Sequence, residues 1–77
     1  MAPIDFVLRG ETITLDALLK ATGLASSGGA AKVLIAGGEV RVNGEVETRR
    51  GRKCRAADEV VVGSSTVKLS AAGAADA

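Results

Sequence analysis

The sequence predicts an α+β fold in which two short helices pack on a small, mainly antiparallel sheet. Three features lead there. Two segments carry apolar residues at helical spacing, each opened by Ser or Thr and closed by Gly. Valines alternate with polar residues on one side of Asn43-Gly44, a dipeptide that suits a two-residue hairpin turn because both positions tolerate positive φ. Two β-rich runs, DEVVV and TVKL, follow late in the chain with GSS between them.

Taken in order, IDFVLR (4–9) alternates Ile4, Phe6 and Leu8 against Asp5 and Arg9, which reads as an opening strand with Phe6 turned to the core. Glu11 and Thr12 fall in the connection. TLDALLKATG (14–23) is the first helix. Thr14 is its expected N-cap, Asp16 suits the positive end of the helix dipole, and Leu15, Leu18 and Leu19 form the buried stripe. Gly23 ends it in the left-handed conformation. SSGGAAKVLIAGG (26–38) is the second helix, capped by Ser26 or Ser27 and stopped at Gly37 or Gly38. Ala31, Leu34 and Ile35 face the core there, and Lys32 points away. EVRVNGEVE (39–47) is the hairpin, and DEVVV (58–62) with TVKL (66–69) closes the sheet. Residues 70–77, SAAGAADA, lack periodicity and are expected to form a flexible tail, which leaves one domain over 1–69.

A chain of 77 residues makes one domain and buries only about 60% of the surface its unfolded form exposes, so its core is thin, with little room for an enclosed substrate cavity. No stretch approaches the roughly 18 continuous apolar residues of a membrane span. The opening MAPIDFVLRG has no basic leader followed by an apolar run, and the single cysteine cannot form an internal disulfide. A cytoplasmic protein is therefore expected.

The net charge of +1 hides an asymmetry. Residues 20–55 hold eight basic against three acidic residues, a balance of +5, and everything else holds two against six, a balance of −4. Within that basic part, RRGRKCR (49–55) places Arg49, Arg50, Arg52, Lys53 and Arg55 in seven positions with no acid among them. Cations so crowded repel one another unless something compensates, and phosphates would do so while releasing condensed counterions. The arginines offer planar forks that match phosphate oxygens, and Lys53 a point charge. A solvated surface loop is the plain alternative. Ser27, Gly28 and Gly29 open the second helix, where free backbone N–H groups and the dipole favour an anion, and Lys32 lies one turn on.

Catalytic chemistry finds no footing. There is no His, no second Cys, no GxxxxGK[ST] loop and no GxGxxG, so neither a triad, a zinc site nor a nucleotide cradle can be assembled. Cys54 reads as a small apolar side chain whose basic neighbours would lower its pKa. No enzyme, cofactor, metal, small-molecule substrate or membrane partner is implied, and a monomer is expected.

At SSGGAAKVLIAGGEVRVNG the chain resembles the S-four domain, an RNA-binding module named after a small-subunit ribosomal protein. The family pattern Ser-Arg-x-x-Ala-x-x-Leu-Ile-x-x-Gly-x-Val-x-Val-Asn-Gly maps without gaps onto Ser27, Ala31, Leu34, Ile35, Gly38, Val40, Val42, Asn43 and Gly44. The leading helix LDALLKATGL and the late ADEVVV are also similar, so the resemblance covers about residues 4–69. Gly28 stands where the family has Arg, which removes a side chain that usually contacts the RNA backbone. SSGGAAK together with VETRRGRKC resembles in particular the small stand-alone bacterial members, the ribosome-associated YbcJ type. The resemblance implies an S-four-like (alpha-L) motif that binds structured RNA, ribosomal or transfer, through its two helices and a neighbouring loop. It points first to Ser27 and Lys32 and second to Arg41 and Asn43, and these residues and the basic run are expected to converge on one face.

Phe6 is the only aromatic residue, so base stacking is not the main mode, and recognition of an RNA helix or junction by shape fits better. Three rivals stand beside this reading. A DNA-reading helix-turn-helix would begin its second helix Gly-Gly-Ala-Ala, where base-reading side chains belong. A ubiquitin-like sulfur carrier shares the VNGEV hairpin but needs a terminal Gly-Gly, and this chain ends GAADA. A protein adaptor would dock acidic partners on the basic run.

Overall fold

Alternation and periodicity become nine elements in the computed structural model, which describes residues 3–72. They run β1 (Ile4–Leu8), β2 (Thr12–Thr14), α1 (Leu15–Ala21), α2 (Gly28–Ala36), β3 (Val40–Val42), β4 (Glu45–Val46), β5 (Lys53–Arg55), β6 (Glu59–Val62) and β7 (Ser65–Ala71). Five strands form one sheet in the order β1-β7-β6-β3-β4, and β2 and β5 form a separate antiparallel ribbon. Three of the four pairings in the large sheet are antiparallel, and β1 alone lies parallel to its neighbour, with Ile4 opposite Val67 and Leu8 opposite Ala71. The α+β class with two helices and a mostly antiparallel sheet is what the sequence predicts.

Strand alternation decides which face of the sheet is buried. Val40 and Val42 of β3, Val60 of β6 and Val67 of β7 are fully enclosed. The helices cover that face with Leu15, Leu18 and Leu19 from α1 and Ala31 and Ile35 from α2, all at 0% exposure. Leu34 and Phe6 are half-buried against this core. Each enclosed leucine contributes roughly 1.5–3 kcal/mol by leaving water. Loss of two would rival the total stability of a domain this size, about 4–12 kcal/mol.

Turn chemistry follows the expected residues. Gly23 and Gly38 both adopt φ +78°, and Asn43 and Gly44 turn β3 into β4 with φ of 53° and 86°. Three expectations change. Thr12 does not sit in a connection but opens β2, because its partner strand lies 40 residues away and leaves no local signal. Ser70 and Ala71 are not tail, since β7 extends through them to reach Val7 and Leu8 of β1. The remainder of the expected tail, residues 73–77, lies outside the described residues. Thr14 occupies the N-cap position of α1 in extended conformation, yet its side chain makes no capping bond. No helix among the described residues is long and apolar enough to cross a membrane.

Candidate nucleic-acid interface

The two-residue turn at Asn43-Gly44 places Val42 opposite Glu45 and Arg41 opposite Val46. One residue further, the Glu47 N–H donates to the Val40 carbonyl at 2.9 Å, so Glu47 falls on the core side of the sheet and is only 6% exposed. A shielded carboxylate must be compensated. Arg49 closes a two-pronged bond on it, Nε to Oε2 and Nη2 to Oε1, both at 3.1 Å, and its backbone N–H adds a third bond. Arg52 Nη1 donates to Oε1 at 3.0 Å. The Arg49 fork first, and Arg52 after it, hold the Glu47 carboxyl down to about 2. The shield is shallow, because Arg49 itself is 77% exposed.

The same segment closes the start of α1. The Leu15 N–H donates to the Arg52 carbonyl at 2.9 Å and the Asp16 N–H to the Arg50 carbonyl at 3.1 Å, while Asp16 Oδ1 accepts from the Ala17 N–H. Backbone oxygens of the basic run thus do what a capping side chain would do. Beyond Arg52 the run becomes β5, with Lys53 opposite Thr14, Cys54 opposite Ile13 and Arg55 opposite Thr12. Alternation buries Cys54 and exposes Lys53 and Arg55. Burial, reinforced by the Asp58 charge, pushes the Cys54 thiol up to about 11, against the fall expected from its basic neighbours.

The start of α2 is built differently. Ser27 is extended, and its Oγ accepts from the Ala30 N–H at 3.1 Å while its carbonyl accepts from Ala31. The first-turn amides of Gly28 and Gly29 have no partner among the described residues, and no acid sits in that turn. A β-carbon on Gly28 would stand 4.0 Å from Lys20 Cδ, so the stem of Lys20 lies over this helix start. Lys32 is exposed one turn on.

Arg41 lies apart from these residues, whereas Asn43 lies beside the end of the basic run, since the Asp58 carboxylate accepts from both Asn43 Nδ2 and the Arg55 N–H. Arg41 is exposed between buried Val40 and Val42, so it leaves the sheet on the face away from the helices, beside a shallow open depression of about 350 Å³ lined by Gly38, Glu39, Val61 and Gly63. Asn43 spends its amide on the fold: Nδ2 donates to Asp58 Oδ1 at 3.0 Å and Oδ1 accepts from the Glu59 N–H at 2.9 Å. Burial raises the Asp58 carboxyl, but the bonds from the Arg55 N–H and Asn43 outweigh it and leave Asp58 below the ordinary value.

Arg49, Arg50, Arg52, Lys53 and Arg55 therefore share one segment at the start of α1, the first three in the loop fastened to it and the last two on β5. The Ser27–Gly29 turn and Lys32 belong to α2, whose start lies beside the C-terminal end of α1, about 10 Å along its axis at 1.5 Å per residue. Two residues escaped the sequence reading. Glu47 was findable, because a two-residue turn at 43–44 puts 45 and 47 on the face of Val42 and Val40. Lys20 was not, since a cation in a last helical turn is ordinary. No group of three or more metal-ligating side chains occurs among the described residues.

Comparison with known proteins adds two findings. The S4 domain family model matches residues 6–70. A curated relative, "Probable ribosome maturation protein RlbA" of Bacillus subtilis (strain 168), is 44% identical over 52 residues, which cover 68% of this chain and 73% of that protein.

Proposed function

The chain belongs to the S4 domain family, and on that premise we propose that it is a non-catalytic, cytoplasmic RNA-binding protein that grips structured ribosomal RNA by its phosphate backbone. The observation that carries this reading is the anchoring of the basic run. Carbonyls of Arg50 and Arg52 fasten it to the start of α1, and pairing of β5 with β2 continues it as a ribbon. The cations are therefore held on a framework rather than on a free loop, which lowers the ordering cost of meeting a rigid polyanion.

The charge balance supports the same reading in a corrected form. The run does not depend on phosphates alone for compensation, since Glu47 neutralises part of it, leaving +4 over residues 47–55. Arg50, Lys53 and Arg55 enter no ion pair among the described residues and are exposed. Ser27, Gly28 and Lys32 extend the surface along α2, where an RNA backbone can meet open amides. Arg41, on the far face, and Asn43, whose amide is taken by Asp58 and Glu59, are given no contact in this reading. Phe6 is half-buried, so contact runs through phosphates and helical shape rather than stacking.

Fluorescence anisotropy with folded ribosomal RNA fragments and with duplex DNA of equal length tests it. Four or five phosphate contacts give a slope of log K against log salt of roughly −3 to −4. A slope near zero, or equal binding of duplex DNA, would overturn the proposal.

A further inference from the structure

A carboxylate at the root of a phosphate-binding ribbon is at first sight a liability, since it repels the ligand. Its geometry says otherwise. Glu47 engages Arg49 through the Nε–Nη2 edge of the guanidinium, and the Nη1–Nη2 edge has no partner among the described residues. Arg52 gives Nη1 to Glu47, which leaves its Nε–Nη2 edge without one. Each arginine is thus fixed by one part of its donor set and retains a second pair of parallel N–H groups, the arrangement that receives two phosphate oxygens. Unpaired, both side chains would sample many rotamers, and ordering them would fall to the binding step.

We infer that Glu47 is a positioning residue for RNA: its carboxylate holds Arg49 and Arg52 with one guanidinium edge each turned outward for phosphate. This rests on the RNA-binding reading above and names a residue that never touches the ligand. The attraction lost to one negative charge is outweighed by two forks already in place.

Charge and positioning give opposite signs, which makes the test sharp. Glu47→Gln keeps the shape and removes the negative charge. Electrostatics alone would make that variant bind RNA more tightly; loss of positioning makes it bind less tightly. The full 77-residue chain is titrated with a labelled RNA stem-loop and with total bacterial ribosomal RNA. We expect E47Q to bind about 5- to 100-fold more weakly, the cost of ordering two long side chains on binding. In a background where Arg49 and Arg52 are both alanine, E47Q should no longer weaken binding, because nothing remains to be positioned and only the small gain from removing a negative charge is left. A merely structural role would lower the melting temperature and leave the folded protein's affinity unchanged.

Equal or tighter binding by E47Q overturns the inference, as does an undiminished effect in the double-alanine background. Where E47Q does not fold, Arg49→Lys replaces it: residue 49 is exposed, the charge stays and the fork is lost. A several-fold loss is expected there, and unchanged affinity overturns the inference equally. If the wild-type chain binds neither RNA, the functional reading itself fails; if wild type binds and E47Q is unimpaired, only the positioning role fails.

Discussion

The two helix starts solve one problem in two ways. At α2 a single serine does the work within its own turn: Ser27 Oγ accepts from Ala30, and the next amides stay open to solvent. At α1 the first amides are taken by the carbonyls of Arg50 and Arg52, more than 30 residues downstream, and the Thr14 side chain makes no capping bond. The first arrangement leaves an end that an anion can approach. The second shuts that end and uses it as an anchor for a cationic ribbon. A helix N-terminus is therefore open to an anion in one case and an anchor for other groups in the other.

The largest effect should separate these two contributions. Alanine at Arg49, Arg50 and Arg52 together removes the side chains at the α1 end. At about 1 kcal/mol or more for each charge-assisted contact, RNA affinity should fall by about 100-fold at ~0.1 M salt, and the salt slope should shrink by roughly 2. Lysate sedimentation should show the wild type travelling with ribosomal particles and the variant near the top. Ser27→Ala, which touches only the α2 end, should change affinity far less; a reversed order would mean that α2 dominates the contact.

Acidification comes next. The folded pKa of Glu47 lies at about 2, below its ordinary 4.5. The stability that this group contributes is therefore complete above about pH 4.5 and is lost as pH falls toward 2. Thermal melts across that window should show a steep decline in the wild type and a flatter one in Glu47→Gln, with a residual slope from Asp16 and Asp58, which are also held low. Identical profiles would mean that the clamp is not formed in solution. The α2 start has no acid in its first turn and contributes nothing to this pH dependence.

Cys54 fastens the ribbon from beneath. Cys54→Ser buries a hydroxyl in its place and should cost about 1–3 kcal/mol, a fall of roughly 5–20 °C in melting temperature for a chain this short. An aromatic disulfide reagent at pH 8 should label the native thiol only as fast as the protein opens. Rapid labelling would show that the ribbon is not docked.

The smallest effect compares the caps themselves. Ser27→Ala should cost about 1 kcal/mol and Thr14→Ala only a few tenths, because only Ser27 makes the capping bond. Calorimetry that gave equal costs would erase the distinction between the two helix starts.

The same contrast explains what was legible in the sequence. The α2 cap, the left-handed Gly23 and Gly38, the Asn43-Gly44 turn and the apolar stripe of each helix are local, and each was readable from a few adjacent letters. What was not legible joins distant positions: Thr12 pairs with Arg55, the α1 amides reach Arg50 and Arg52, and β1 finds β7. Three-residue strands carry too little alternation to announce a partner. The basic run was visible as charge, but its division into a clamped pair and three cations without an ion pair among the described residues depends on Glu47, whose orientation follows only from the turn's register. Arg41 and Asn43 were drawn from a motif, and position in a motif does not reveal which face of a strand a side chain leaves or what its amide already holds.

The pairing of the first strand with the last also governs when the protein is finished. A nascent chain that has emerged as far as Ser64 already contains both helices and the entire cationic ribbon, while β1 still lacks its single neighbour. Ile4 and Leu8 can be closed over only after Val67 through Ala71 have left the exit tunnel. The seven residues of β7 thus act as a latch: the basic run is made before the sheet that steadies it is complete.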